Sequence, residues 1–153
     1  MRRRESVHVP PAKGPGESVK SQANVDLVRS IYAAFGAGDV PGVLGRMSAE
    51  MEWNEAENHI YAVGNPYRGH DAILAGVFAR LGSEWDGFAA APEEFLGCGD
   101  TVVVLGRYRG TFKATGRPLD AQLVHVWRLA DGKAVSFQQY TDTLQFARAA
   151  GAA

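Results

Sequence analysis

AQLVHVWRLADGKAVSFQQYTDT, residues 121–143, decides how this chain is read, because it encodes two strands and a turn with polar groups on a face that is normally apolar. Alternate side chains of a strand share a face, so Ala121, Leu123, His125, Trp127 and Leu129 fall together on the first segment. Asp131-Gly132 is a dipeptide that favours a two-residue hairpin turn. The returning strand then places Val135, Phe137, Gln139 and Thr141 on one face. If both faces look into one interior, an imidazole and a carboxamide enter an apolar lining, which is the composition of a ligand pocket. A core histidine satisfied by its neighbours fits the same pattern. Either way His125 is expected inside, since Leu123 and Trp127 share its parity and need a core.

Composition bounds the rest. With 153 residues, 46% of them hydrophobic, the chain is long enough for one globular domain with a sizeable core. Sixteen basic residues against 17 acidic ones leave no electrostatic footprint for nucleic acid or an anionic membrane, so neither is an expected partner. The one cysteine, Cys98, excludes an internal disulfide framework and every multi-cysteine zinc site. Its place at a turn beside apolar residues reads as an inert thiol.

Residues 1–22, MRRRESVHVPPAKGPGESVKSQ, carry basic residues, prolines and glycines but no apolar run long enough for a signal peptide or a membrane span. They read as a disordered tail or as a start codon placed too early, and the chain as cytoplasmic. Residues 23–147 are expected to form the domain and residues 148–153 a C-terminal tail.

From Asn24, Val25, Val28, Ile31, Tyr32 and Phe35 recur at helical spacing, and Gly36-Ala37-Gly38 ends the segment. Asp39 caps a second, shorter helix with Pro41 in its first turn. Residues 51–57 alternate as a strand with Met51, Trp53, Glu55 and Glu57 on one face. NPYRGHDA leads into a third helix with Ile73, Leu74, Val77, Phe78 and Leu81 as its stripe. Four strands follow near 87–95, 101–111, 120–129 and 133–143. Helices first and antiparallel strands after is an α+β arrangement, with helices covering one face of a curved sheet.

The phrases LVRSIYAAFGAGDVPGVLGRMSAEMEW, NPYRGHDAI and VHVWRLADGKAVSFQQYTD, in that order, resemble the start, middle and end of a SnoaL-like domain of the NTF2-like superfamily, over residues 24–146. That superfamily includes polyketide cyclases and ketosteroid isomerases, and one cone-shaped fold serves many unrelated tasks in it. The resemblance implies a strongly bent, mostly antiparallel sheet wrapped around about three helices. Counting from Asp39, it sets Glu55 where ketosteroid isomerases keep their general base. Counting back from Trp127, it sets His125 where they keep a protonated aspartic acid and where the cyclases keep an acid/base aspartate. Two positions depart from the pattern. Ile31 stands in place of the isomerases' oxyanion tyrosine, with Tyr32 on a neighbouring helix face, and Gln139 replaces a catalytic aspartate of limonene epoxide hydrolase-like members. Both departures argue against steroid isomerisation and epoxide hydrolysis.

Chemistry gives a separate view of the pair Glu55 and His125. Burial raises a carboxyl's pKa and a neighbouring imidazolium lowers it, which suits proton abstraction beside a carbonyl. A structural Glu–His hydrogen bond between two buried polar groups is the alternative. Glu57 shares the Glu55 face and reads as a pocket residue, where two carboxylates in one cavity could share a proton, with an ordinary solvated place at the open rim as the alternative. A metal set of Glu55, Glu57, His59 and His125 is conceivable by ligand type but matches no motif spacing, so neither metal nor cofactor is expected. Trp53, Tyr61, Tyr67, Trp85 and Tyr108 read as residues of the pocket mouth, with Trp127, Phe137 and Gln139 lining it; core packing is the other role for such aromatics. Arg107 and Lys113 read as solvated, with contact to a substrate carbonyl or carboxylate as the alternative, and Asp142 as fixing a strand end or capping residues 145–149.

The reading is therefore a small-molecule pocket protein, a cofactor-free isomerase or cyclase acting on a small apolar carbonyl compound. A non-catalytic hydrophobic-ligand-binding or dimerisation module is the alternative. The outward set Gln122, Val124, Val126, Arg128, Ser136, Gln138 and Tyr140 mixes apolar with polar residues as a homodimer interface would.

Overall fold

The computed structural model describes residues 15–153. Helix α1 (Pro15–Gly36) begins well before Asn24, so residues 15–22, expected as tail, are helical, while residues 1–14 lie outside the described residues. Proline is tolerated in a first turn, and a long-range contact explains the extra turns. Ser21 Oγ accepts from the Gly99 amide at 2.7 Å, and Asn24 Nδ2 donates to the Gly99 carbonyl at 2.9 Å. Both bonds hold α1 against a turn more than seventy residues away. Helix α2 (Val40–Gly45) is capped as expected, with Asp39 Oδ1 accepting from the Gly42 amide at 2.9 Å.

Among the described residues six strands follow one another across a single sheet in the order β2-β1-β6-β5-β4-β3: β1 (Met47–Asn54), β2 (Tyr67–Arg68), β3 (Trp85–Cys98), β4 (Thr101–Phe112), β5 (Arg117–Ala130) and β6 (Lys133–Thr141). Only β1 and β6 run parallel, so the sheet is mixed but mostly antiparallel. Register shifts in the β3–β4 ladder, after Asp86 and after Pro92, are the irregularities that bend long strands. Between β2 and β3 one continuous helical stretch runs as α3 (His70–Ile73), a π-helical turn (Leu74–Phe78) and α4 (Ala79–Glu84). The expected stripe holds for Ile73, Val77 and Phe78, but Leu74 falls in the π turn and is exposed.

The hairpin forms as its sequence implies. Asp131 and Gly132 both adopt positive φ, 52° and 73°, and Ala130 pairs with Lys133. His125 stands opposite Gln139 and Trp127 opposite Phe137, all four buried. On β6 the expected parity shifts at one point. Leu129 pairs with Ala134 and Arg128 with Ser136, which leaves Val135 in a bulge and gives Ala134 the inward place. Strand β1 stops at Asn54, so Glu55 lies just past its end and Glu57 lies in the exposed turn beyond. Asp142 caps α5 (Thr143–Ala150), accepting from the Gln145 amide at 3.2 Å, so residues 148–150 are helical rather than tail.

The core divides in two. Helix α1, the α3–α4 stretch and the inward faces of β1, β4, β5 and β6 pack one cluster around Trp53, Trp127 and Phe137. Phe146 and Ala149 of α5 close the other end against Trp85, Tyr108 and Leu123. The bent sheet also demands one glycine. A Cβ on Gly106 would fall 2.2 Å from the Ala91 carbonyl oxygen, a backbone atom, where β3 bulges past β4. Gly106→Ala is accordingly expected to cost about 1–3 kcal/mol in urea unfolding, and an unchanged midpoint would contradict that crowding.

Candidate functional site

Between α1, the α3–α4 stretch and the inner sheet face lies a cavity of about 50 Å³, room for a few water-sized groups. Apolar residues such as Ile31, Phe35, Val77, Phe78 and Phe137 form most of its wall. Seven polar side chains interrupt that wall: Tyr32, Glu55, His59, Tyr61, Tyr108, His125 and Gln139. Sequence parity placed His125 and Gln139 there; the strand register delivers both.

His125 is 4% exposed and both its ring nitrogens are occupied. Nδ1 lies 2.5 Å from Tyr32 Oη, and Nε2 shares a hydrogen bond with Tyr108 Oη. Trp127 Nε1 donates to Tyr32 Oη at 3.0 Å, and Gln139 Nε2 donates to Tyr108 Oη at 2.9 Å. The Gln139 amide is itself oriented, because its Oε1 accepts from the Ala56 amide at 3.1 Å. Burial pushes His125 down to about 3, so the ring is neutral and carries one N–H. Burial also pushes both tyrosines well above their ordinary value, so both hydroxyls keep their protons. Three protons therefore serve two links, and one phenolic proton, on Tyr32 or Tyr108 according to the tautomer, is left to point off the chain.

Glu55 is 3% exposed. Past the end of β1 its backbone is held by Asn65, whose Oδ1 accepts from the Glu55 amide at 2.9 Å and whose Nδ2 donates to the Glu55 carbonyl at 2.8 Å. On the side chain, Oε1 accepts from Trp53 Nε1 at 3.1 Å, while Oε2 has no hydrogen-bond partner. Burial pushes the carboxyl up to about 7, only partly offset by the indole N–H. Oε2 comes within 4.0 Å of His59 Nδ1. That approach is not an ion pair. His59 Nδ1 accepts from the Tyr61 amide at 3.0 Å, and burial together with the Arg80 cation pushes the ring down to about 4.

Glu55 and His125 thus border one cavity without sharing a hydrogen bond; the imidazole's partners are two tyrosines. Tyr108 belongs to the interior, not to a mouth, and Tyr32, expected on another helix face, borders the cavity beside Ile31. Trp53, Tyr61, Trp127 and Phe137 also line it. Three expected lining residues do not. Glu57 is exposed in its turn. Tyr67 donates to the Tyr61 carbonyl at 2.6 Å, its ring so close to Gly64 and Gly76 that a Cβ on either would meet it. Trp85 is buried behind Tyr61, donating Nε1 to its Oη at 2.9 Å. Tyr61 Oη in turn donates to Glu84, which Arg80 approaches at 3.5 Å. Arg107 pairs with Asp120 and Lys113 is exposed. Among the described residues no three His, Cys, Asp or Glu side chains group as metal ligands.

The signals for Tyr32 and His59 were weak in sequence. Tyr32 sat in an ordinary apolar stripe, and His59 followed a strand end whose backbone path depends on Asn65, ten residues on from Glu55.

A bent sheet closed over helices around an apolar cavity with a few convergent polar groups defines the NTF2-like class of small pocket proteins. Residues 28–137 match the SnoaL-like domain, and the chain belongs to that family. An NTF2-like protein from Burkholderia thailandensis E264 is 38% identical, with 82% of this chain and 95% of that chain covered and a TM-score of 0.78. TerC, crystallised with polyporic acid, is 30% identical, with 84% and 98% covered and a TM-score of 0.75. The fold is shared with a putative SnoaL-like polyketide cyclase from Jannaschia sp. CCS1, 22% identical over 94% and 99% of the two chains, at a TM-score of 0.75. No curated protein matches. No helix among the described residues is long and apolar enough to cross a membrane.

Proposed function

We propose that the cavity binds a small, largely apolar carbonyl compound and moves a proton on the carbon next to its carbonyl, as a cofactor-free isomerase or cyclase would. One observation carries this reading: the Glu55 carboxyl sits in an apolar wall with Oε2 unpartnered and its pKa pushed up to about 7. A carboxyl poised near neutrality can take a proton and return it, which is what a general base needs. His125 acts through the tyrosines, setting which hydroxyl presents its proton to the developing enolate. The crystallisation of TerC with polyporic acid supports reading this chain's cavity as a ligand site. The balanced charge and the single, exposed Cys98 are in keeping with a cytoplasmic protein. The test is deuterium exchange from solvent into a panel of small enones and β-dicarbonyl compounds; no exchange into any of them would sink the proton-transfer reading.

The small volume of the cavity favours a second reading, a non-catalytic binding module with a nearly filled core. That module would bind members of the panel without exchanging their protons.

The outer face of β5 and β6 suits a homodimer. Val124, Val126 and Gln138 are half-buried there, and Gln122, Arg128 and Tyr140 are exposed around them. Sedimentation at micromolar concentration is expected to give a dimer, with Val126→Lys shifting it to monomer; a monomeric wild-type protein would contradict this surface.

A further inference from the structure

Two buried side-chain polar atoms among the described residues have no hydrogen-bond partner, Glu55 Oε2 and His59 Nε2, and both residues border the same cavity. An unmade buried donor is costly, so such atoms mark where a ligand is received. We propose that His59, through Nε2–H, donates the hydrogen bond that holds the carbonyl oxygen of the cavity's ligand, beside the carbon that Glu55 deprotonates. This rests on the proton-transfer reading above, in which a Tyr32 or Tyr108 hydroxyl presents its proton to the enolate, and adds a second donor to the same oxygen.

The tautomer follows from the backbone. His59 Nδ1 accepts from the Tyr61 amide at 3.0 Å, so the single proton of the neutral ring sits on Nε2. The ring is fixed in place, packed at 4.4 Å from Phe146 and 5.4 Å from Tyr61. His125 offers no such donor, because both its nitrogens are engaged by Tyr32 and Tyr108. A carbonyl compound with an adjacent C–H satisfies both orphans together. The C–H bond breaks and its proton forms an O–H on Glu55. The freed pair becomes a C=C bond, and the carbonyl electrons move onto the oxygen as an enolate held by His59 Nε2–H. His59 keeps its proton throughout, and the Glu55 proton returns to carbon when the carbonyl re-forms. The step is redox-neutral and needs no further reactant.

The test uses the full-length protein and 2-cyclopentenone labelled with carbon-13 at its carbonyl. Nitrogen-15 histidine spectra of the free protein should show the Nε2–H tautomer at His59. Added probe should move that proton and the probe's carbonyl carbon downfield. His59→Leu should remove the carbonyl shift and lower kcat for exchange by about 100-fold, the usual loss of one such donor, with less change in KM. His59→Gln, which keeps an N–H donor and guards against a folding defect in the leucine variant, should recover part of both. An Nδ1–H tautomer, or a proton that does not move up to the solubility limit of the probe, overturns the proposal. Exchange lost in Glu55→Gln but unchanged in His59→Leu overturns it while leaving the proton-transfer reading intact. Exchange absent from the wild type, with the His59 proton still shifted by probe, removes the proton-transfer reading and supports the donor.

Discussion

Glu55→Gln is expected to lower carbonyl-dependent deuterium exchange by about 100-fold or more, the usual contribution of a positioned general base, while leaving the protein folded. The carboxamide keeps the shape, and its oxygen can still accept from Trp53 Nε1 at the Oε1 position, so the loss would report the missing base. The same substitution should act on stability with the opposite sign. A carboxyl raised from 4.5 to about 7 in the folded state stabilises fully below pH 4.5, and that contribution is lost as pH rises through about 7. Above pH 7 the buried carboxylate costs about 3 kcal/mol, which the neutral amide does not incur. Urea unfolding should therefore find Glu55→Gln more stable than wild type at pH 8 and close to it at pH 4. Equal stability at both pH values would show that Oε2 is solvated and not buried as described.

The second large effect is acid sensitivity well above the carboxylate range. His59 and His125 are lowered to about 4 and about 3, so the unfolded chain takes up protons below its histidine pKa of 6.5 before the folded chain does. Stability from these two groups is complete above pH 6.5 and is lost as pH falls through the folded values. Tyr32 and Tyr108 face His125; Glu55, Tyr61 and the Arg80 charge surround His59. Of these, Glu55 is the group that titrates in the same window, and it works the other way. The balance is a loss of about 2–3 kcal/mol between pH 6.5 and pH 4.5 in the wild type and about twice that in Glu55→Gln. Paired surface acids such as Asp120 and Asp142 have lowered values and enter only below this window. A denaturation midpoint that stays flat from pH 6.5 to 4.5 would mean that the two rings admit a proton when folded.

Much of the fold was legible because its signals are local. Strand parity has a period of two, so one histidine between leucine and tryptophan already specified its face. Asp39 and Asp142 were recognisable as caps from the residues immediately after them, and Asp131-Gly132 as a turn from its own backbone preferences. Glu55 was legible by the same parity, two positions beyond Trp53, although β1 ends at Asn54 and Asn65 holds the residue there. Misreadings came where local rules are interrupted. A bulge displaced Val135, the π turn rotated Leu74 outward, and the end of β1 released Glu57 to solvent.

What the sequence by itself determined was the order of elements, the hairpin register and the inward set that includes His125, Gln139 and Trp127. What only the tertiary structure decided was partnership. His125 meets Tyr32 from a helix 93 residues away and Tyr108 from the adjacent strand, and Glu55 is held by Asn65 and neighbours His59. Periodicity says which way a side chain points but not what it points at. That second fact depends on how far the bulged sheet bends over its helices, which brings residues distant in the chain within hydrogen-bond reach and leaves two buried atoms unpaired.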